Sequence, residues 1–308
     1  MKEKTLVLRD GHPMFYRVWE AEKPVATVHI NHGMAEHSLR YDRFAVYLNS
    51  LGFTVYAQDH RGHGYTMQEG EQGWFADNDG WNVVVADAWE IDQLIASEHP
   101  GLPHFLFGHS MGSFMARTEL ERYSEAWKAA VICGTGASQG IKGSFGKALA
   151  RHRAKKNGGK KADELLNTLS FSSYVTHFKE EAKVSTSVWL SRDPEEVAKY
   201  DKDPLCGFTC STSFFADLVD GINYANSPEE IAKIRKDIPL LIISGDEDPV
   251  GNYGKGVRKV AELYRDAGIK DVRLELRKGG RHEILNETDR EETMRIISGF
   301  YLSVLAGN

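Results

Sequence analysis

Along most of the chain, short apolar runs alternate with longer stretches in which apolar positions recur every three or four residues. This pattern predicts a mostly parallel sheet covered by helices on both faces. TLVLRDG (5–11) and MFYRVWE (14–20) predict an opening hairpin. VATVHI (25–30), FTVYAQD (53–59), HFLFGH (104–109), AAVICG (129–134), PLLIISG (239–245) and VRLELR (272–277) predict further strands, about eight in all. Helices are predicted near 38–51, 80–98, 111–124, 253–267 and 288–305. In the last, Met294, Ile297, Phe300, Tyr301 and Val304 share one face at helical spacing and form a core stripe. Residues 138–230 break the rhythm, with helix-like pieces and no clear strand. They read as an inserted helical cap on an α/β core made of 1–137 and 231–308.

The chain has 308 residues, 41% hydrophobic and 27% charged, which fits one ordinary α/β domain with an insertion. A formal net charge of −6 argues against general nucleic-acid binding. Within 142–161, however, stand Lys142, Lys147, Arg151, Arg153, Lys155, Lys156, Lys160 and Lys161 with no acid among them. Together with Gly158 and Gly159, this run is the first candidate for a mobile, solvated cap loop, and its second reading is a surface for anionic lipid or an anionic head group. Cys133, Cys206 and Cys210 are an odd number in a long chain and read as free thiols in a reducing compartment. Cys206 and Cys210 have no second Cys/His pair at zinc spacing, so they read as buried or cap residues. The first residues carry no apolar leader-like run and no stretch is long enough to cross a bilayer, so a cytoplasmic location is expected.

The candidate chemistry centres on GHSMG, residues 108–112. A serine that attacks a carbonyl must stand clear of its backbone, and a sharp strand-to-helix turn flanked by glycines provides this. HFLFGH before Ser110 and MGSFMARTELERY after it supply the strand and the helix. The amide of Met111, at the helix start, would face a developing oxyanion, and the loop NHGMAEH would offer the amide of Met34 as second donor. Serine needs a base and the base an orienting carboxylate, in chain order Ser, Asp, His. Asp248 in GDEDPV is the first candidate acid, with Asp246 as rival. His282 is the only histidine downstream. His32 and His37 read as structural hydrogen-bonding groups, as do Asp59, His60, Arg61 and His63 in QDHRGHG.

HGMAEHSLRY, QDHRGHG, GHSMG, SGDEDPV and GGRHEILNE, in this order, together with WLSRDP and DPLCGF in the insertion, resemble the α/β-hydrolase superfamily. The likeness is to its monoacylglycerol lipase and lysophospholipase branch, whose domain type is shared with serine aminopeptidases. The resemblance implies Ser110 as nucleophile, Asp248 and His282 as its partners, and the amides of Met34 and Met111 as oxyanion hole, with no metal or organic cofactor. It implies an acyl ester or lipid as substrate, while the net charge argues for no nucleic-acid partner and the basic cap segment for transient membrane-surface contact. An aminopeptidase-type activity and a non-catalytic binding role are the alternatives. The basic stretch 142–161 departs from the apolar lid of a membrane-docking lipase.

Overall fold

The computed structural model describes residues 1–307. The strands are β1 (Lys2–Val7), β2 (Pro13–Trp19), β3 (Ala26–Asn31), β4 (Phe53–Gln58), β5 (His104–His109), β6 (Ala129–Cys133), β7 (Leu240–Gly245) and β8 (Val272–Arg277). They form one sheet in the order β1-β2-β4-β3-β5-β6-β7-β8. The β1–β2 and β2–β4 pairs are antiparallel and the other pairs are parallel. β3, β4, β6 and β7 are buried along their whole length, which is why each reads as a continuous apolar run rather than an alternating one. The two edge strands differ. β1 carries Lys2, Glu3 and Lys4, and β8 carries Arg273, Glu275 and Arg277.

Side chains alternate between the two faces of the sheet. Val28 and Ile30 of β3 join Phe105, Phe107 and Val131 against α1 (Asp42–Ser50) and α10 (Arg290–Leu305), through Phe44, Leu48, Ile297, Phe300 and Tyr301. The α10 stripe is therefore core, as its spacing predicts. On the opposite face α2 (Gly80–Glu98), α3 (Met111–Tyr123) and α9 (Lys255–Asp266) pack with Ile91, Leu120 and Val260 among their buried residues. The β3 residues that point to this second face are Thr27, His29 and Asn31, all buried and polar.

Between β6 and β7 lie α4 (Gly140–Asn157), α5 (Glu164–Phe171), α6 (Pro194–Lys202), α7 (Thr212–Tyr224) and α8 (Pro228–Ile231). The basic run is not a mobile loop, contrary to the sequence expectation. Most of it forms α4, an 18-residue helix. Acids from outside the run hold it: Lys147 and Arg151 meet Asp220 of α7, and Arg153 forms a two-pronged pair with Asp163 at 2.7 and 3.0 Å. Lys160, just beyond the helix, lies 3.2 Å from Glu71 and 3.8 Å over the Trp74 ring. Local charge density favours an extended, solvated chain, but here the counter-charges come from outside the run, from Asp163 just beyond it and from Asp220 and Glu71 farther off. The helix buries only Gly143 and Ala150, and leaves Ile141 and Phe145 90% and 72% exposed.

α7 buries Phe214, Phe215 and Ile222 against Trp81, Val84 and Val85 of α2. On the same helix, Asp217 faces the start of α2, and burial with the nearby Asp220 charge pushes its pKa up to about 7. A raised carboxyl pKa favours the folded state fully at acid pH, and that advantage is lost between the unfolded value near 3.8 and about 7. Asp217→Asn removes this loss. The stability difference between variant and parent is expected to grow from pH 4 to pH 7, by up to about 4 kcal/mol, and to level off above that. Denaturant midpoints measured across this range check it, and a difference that does not change with pH would contradict it.

Candidate active site

Ser110 sits between β5 and α3 with φ 52° and ψ −119°, a conformation that a residue bearing a Cβ adopts only under strong tertiary constraint. The constraint is visible. The Ser110 amide donates to the Cys133 carbonyl at 3.0 Å, and the Ser110 carbonyl accepts from the amide and hydroxyl of Ser113 at 2.9 and 2.6 Å. The flanking glycines serve close approach. A Cβ at Gly108 would overlap the Gly112 carbonyl and Ala116, and one at Gly112 would overlap the Asn31 carbonyl. Without them α3 could not lie so near β5 and β3. Met111 opens α3, so its amide has no acceptor within the helix.

Asp248 follows β7 and is fully buried, accepting from Nδ1 of His282 at 2.9 Å, from the Ser244 hydroxyl at 3.0 Å and from the Val250 amide at 2.8 Å. Burial alone would raise its pKa. The adjacent His282 and these three hydrogen bonds outweigh burial and hold it below the ordinary carboxylate value. Asp246, the rival acid, turns away and accepts the Gly279 amide at 2.6 Å. His282 lies in the loop after β8, its ring 5.0 Å from that of Trp189 and 4.7 Å from that of His109. A Cβ built on Gly134, the residue after the Cys133 acceptor of Ser110, would touch Cε1 of His282. Ser110 after β5, Asp248 after β7 and His282 after β8 thus lie at the same carboxyl-end rim of the sheet.

Met34 lies in the loop after β3. There the Gly33 amide donates to Glu36 Oε1 at 2.5 Å, which leaves the Met34 amide as the next donor along the loop. Sequence reasoning missed what holds this loop. Glu36 also accepts from Tyr41 at 2.8 Å and from Arg40 at 2.6 Å, while Arg40 clamps Glu283 through two bonds of 2.5 and 2.6 Å. Burial acts to raise the Glu36 pKa, but Arg40 and His109 override it and hold it well below the usual range. Together with His109, Leu285 and Asn286 these residues line a cavity of about 10 Å³, room for a single water. Glu36 and Arg40 stand four residues apart within HGMAEHSLRY, a spacing that could have signalled their pair, whereas nothing local joins Arg40 to Glu283 of GGRHEILNE.

The remaining histidines have structural places. His32 accepts the His60 amide at 2.9 Å, and Nε2 of His60 donates to the His32 carbonyl at 3.1 Å. Burial lowers the pKa of both and takes that of His63 to about 3, so all three are neutral. Asp59 binds Ser38 and the Tyr65 amide, and Arg61 pairs with Asp87 at 2.8 and 2.9 Å. The three cysteines are buried and free. Cys206 stands beside His37 and Asp203, whose hydrogen bond at 2.9 Å joins the loop after β3 to the residues after α6. Among the described residues no helix is long and apolar enough to cross a membrane.

Residues 22–289 match the family model described as serine aminopeptidase, S33. The chain belongs to this family. It is 29% identical over 301 residues to a monoacylglycerol lipase of Mycolicibacterium smegmatis, covering 96% of this chain and 95% of the relative. It is 30% identical to human monoglyceride lipase, covering 92% and 84%. Its structure superposes on a thermostable carboxyl esterase from Bacillus coagulans with a TM-score of 0.90 at 28% identity, covering 99% and 98% of the two chains. Within the S33 family the chain falls in the monoacylglycerol lipase-like branch of the α/β-hydrolases.

Proposed function

We propose that this S33 hydrolase cleaves monoacylglycerols or lysophospholipid-type esters through an acyl-enzyme on Ser110. One observation carries the reading: His282, held at 2.9 Å by the buried Asp248, shares a rim with a serine locked in a positive-φ turn at a helix start. In this mechanism His282 takes the Ser110 proton as the hydroxyl attacks the ester carbonyl, and Asp248 orients the imidazole and stabilises its charged form. The Met34 and Met111 amides, with the α3 dipole behind Met111, hold the tetrahedral oxyanion. His282 then protonates the departing alcohol and later draws a proton from the water that releases the acyl chain. Peptidase action would need an uncommitted carboxylate for the substrate's free amine, and Arg40 engages both Glu36 and Glu283.

In this reading residues 138–230 form the cap, and the cap makes transient contact with the lipid surface. Ile141, Phe145 and Val184 expose 90%, 72% and 91% of their surface there, with Lys142 next to the first of them and Lys155 and Lys156 at the far end of the same helix α4. The free cysteines support a reducing, cytoplasmic setting.

Hydrolysis rates across a panel of acyl lengths and head groups test the assignment. Monoacylglycerols or lysophospholipids should surpass diacylated lipids and aminoacyl amides, and preference for an aminoacyl amide would refute it. Replacing Ile141 and Phe145 with serine is expected to slow hydrolysis on anionic vesicles several-fold and to leave a water-soluble short-chain ester unaffected. Equal effects on both substrates would remove the membrane contact from the proposal.

A further inference from the structure

The polar face of β3 leads away from the serine to a closed cluster between the sheet and the helices α2 and α3. His29, Asp92 and Glu119 are each no more than 2% exposed, and their ligand-type atoms lie within 4.8 Å of one another. Nδ1 of His29, Oδ2 of Asp92 and Oε1 of Glu119 have no hydrogen-bond partner. No lysine or arginine hydrogen-bonds either carboxylate among the described residues. Burial holds the pKa of both carboxyls well above the usual range, so the pair keeps protons unless a positive charge takes their place.

The surrounding hydrogen bonds fix which nitrogen of His29 carries its proton. Nε2 of His60 donates to the His32 carbonyl, so Nδ1 of His60 is an acceptor, 3.3 Å from Nε2 of Gln58. The same Gln58 amide donates to Asn31 Oδ1 at 2.7 Å, and Asn31 in turn donates to Glu119 Oε2 at 2.7 Å. Gln58 therefore presents its oxygen to Nε2 of His29, which must donate across 2.5 Å. A neutral His29 then turns the bare lone pair of Nδ1 toward Asp92 Oδ1, only 2.5 Å away. Two lone pairs that close repel unless a cation or a proton joins them. His104 adds a second imidazole, its Nε2 3.3 Å from the same Asp92 oxygen and its Nδ1 2.7 Å from the Thr27 hydroxyl.

We propose that His29, Asp92 and Glu119, with His104 beside them, bind a divalent transition cation, Zn²⁺ matching the donor set best, which ties β3 and β5 to α2 and α3. Imidazole and carboxylate donors suit such an ion, and two carboxylates neutralise it. The outward bonds to Gln58, Thr27 and Asn31 are the kind of support that ligating side chains receive in metal sites. The site lies apart from Ser110 and serves structure, so ester hydrolysis needs no chemistry from the ion. It is loaded as the chain folds, because no ligand is exposed.

The whole chain, expressed in Zn²⁺-supplemented medium and dialysed, is expected to carry stoichiometric zinc by plasma mass spectrometry. Glu119→Gln should lose it, and His37→Ala, which alters the other His/Asp/Cys group, should keep it. Should Glu119→Gln fail to fold, wild-type protein unfolded and refolded with Zn²⁺ or with EDTA decides: the Zn²⁺ sample should melt at the higher temperature. Metal-free protein whose melting is the same after either refolding would overturn the proposal. So would metal that persists in Glu119→Gln but is lost from His37→Ala.

Discussion

Ser110→Ala is expected to lower kcat for a monoacylglycerol by on the order of 10⁵- to 10⁶-fold, the scale seen when a triad nucleophile is removed. It should also abolish labelling by a fluorophosphonate probe. The variant keeps a Cβ, so the strained turn at φ 52° is no worse and the bonds from the backbone of residue 110 to Cys133 and Ser113 survive. Circular dichroism and the melting temperature should therefore stay near those of the parent. Labelling that persists in the alanine variant would place the nucleophile elsewhere.

Asp248→Asn is expected to cost about 10⁴-fold in kcat with little change in KM. The carboxylate accepts from Nδ1 of His282 and so leaves Nε2 free to take the serine proton. An asparagine that turns its NH₂ toward Nδ1 would favour the opposite tautomer, with the proton already on Nε2. Asp246→Asn is the control, because its Oδ1 can still accept the Gly279 amide, and it should stay within tenfold of the parent. A larger loss at Asp246 than at Asp248 would reverse the assignment of the acid.

The two aspartates show where sequence reasoning stops. They lie two residues apart in one turn, and which one reaches the histidine depends on how β8 delivers Gly279 and His282 beside it. The inner strands were legible because β3, β4, β6 and β7 are short apolar runs buried along their whole length, and the GHSMG turn because both its neighbours were recognisable. α4 was not legible as a helix. Its buried residues are a glycine and an alanine, so it has almost no apolar period, and its counter-charges Asp163 and Asp220 lie outside the run. The same holds for the second partner of Arg40: Glu36 is four residues away, but Glu283 comes from the far end of the chain, a pairing that only the folded sheet creates.

The charged edge strands have a consequence for the molecule in a crowded solution. An open sheet ends in two rows of backbone amides and carbonyls that could pair with the edge of another chain and grow into an aggregate. Here Lys2, Glu3 and Lys4 line one border and Arg273, Glu275 and Arg277 the other. A second copy approaching either border in strand register would have to strip water from these ions and bring like charges together. The parallel interior, apolar enough to drive association if it were left open, is thus closed off by its own first and last strands.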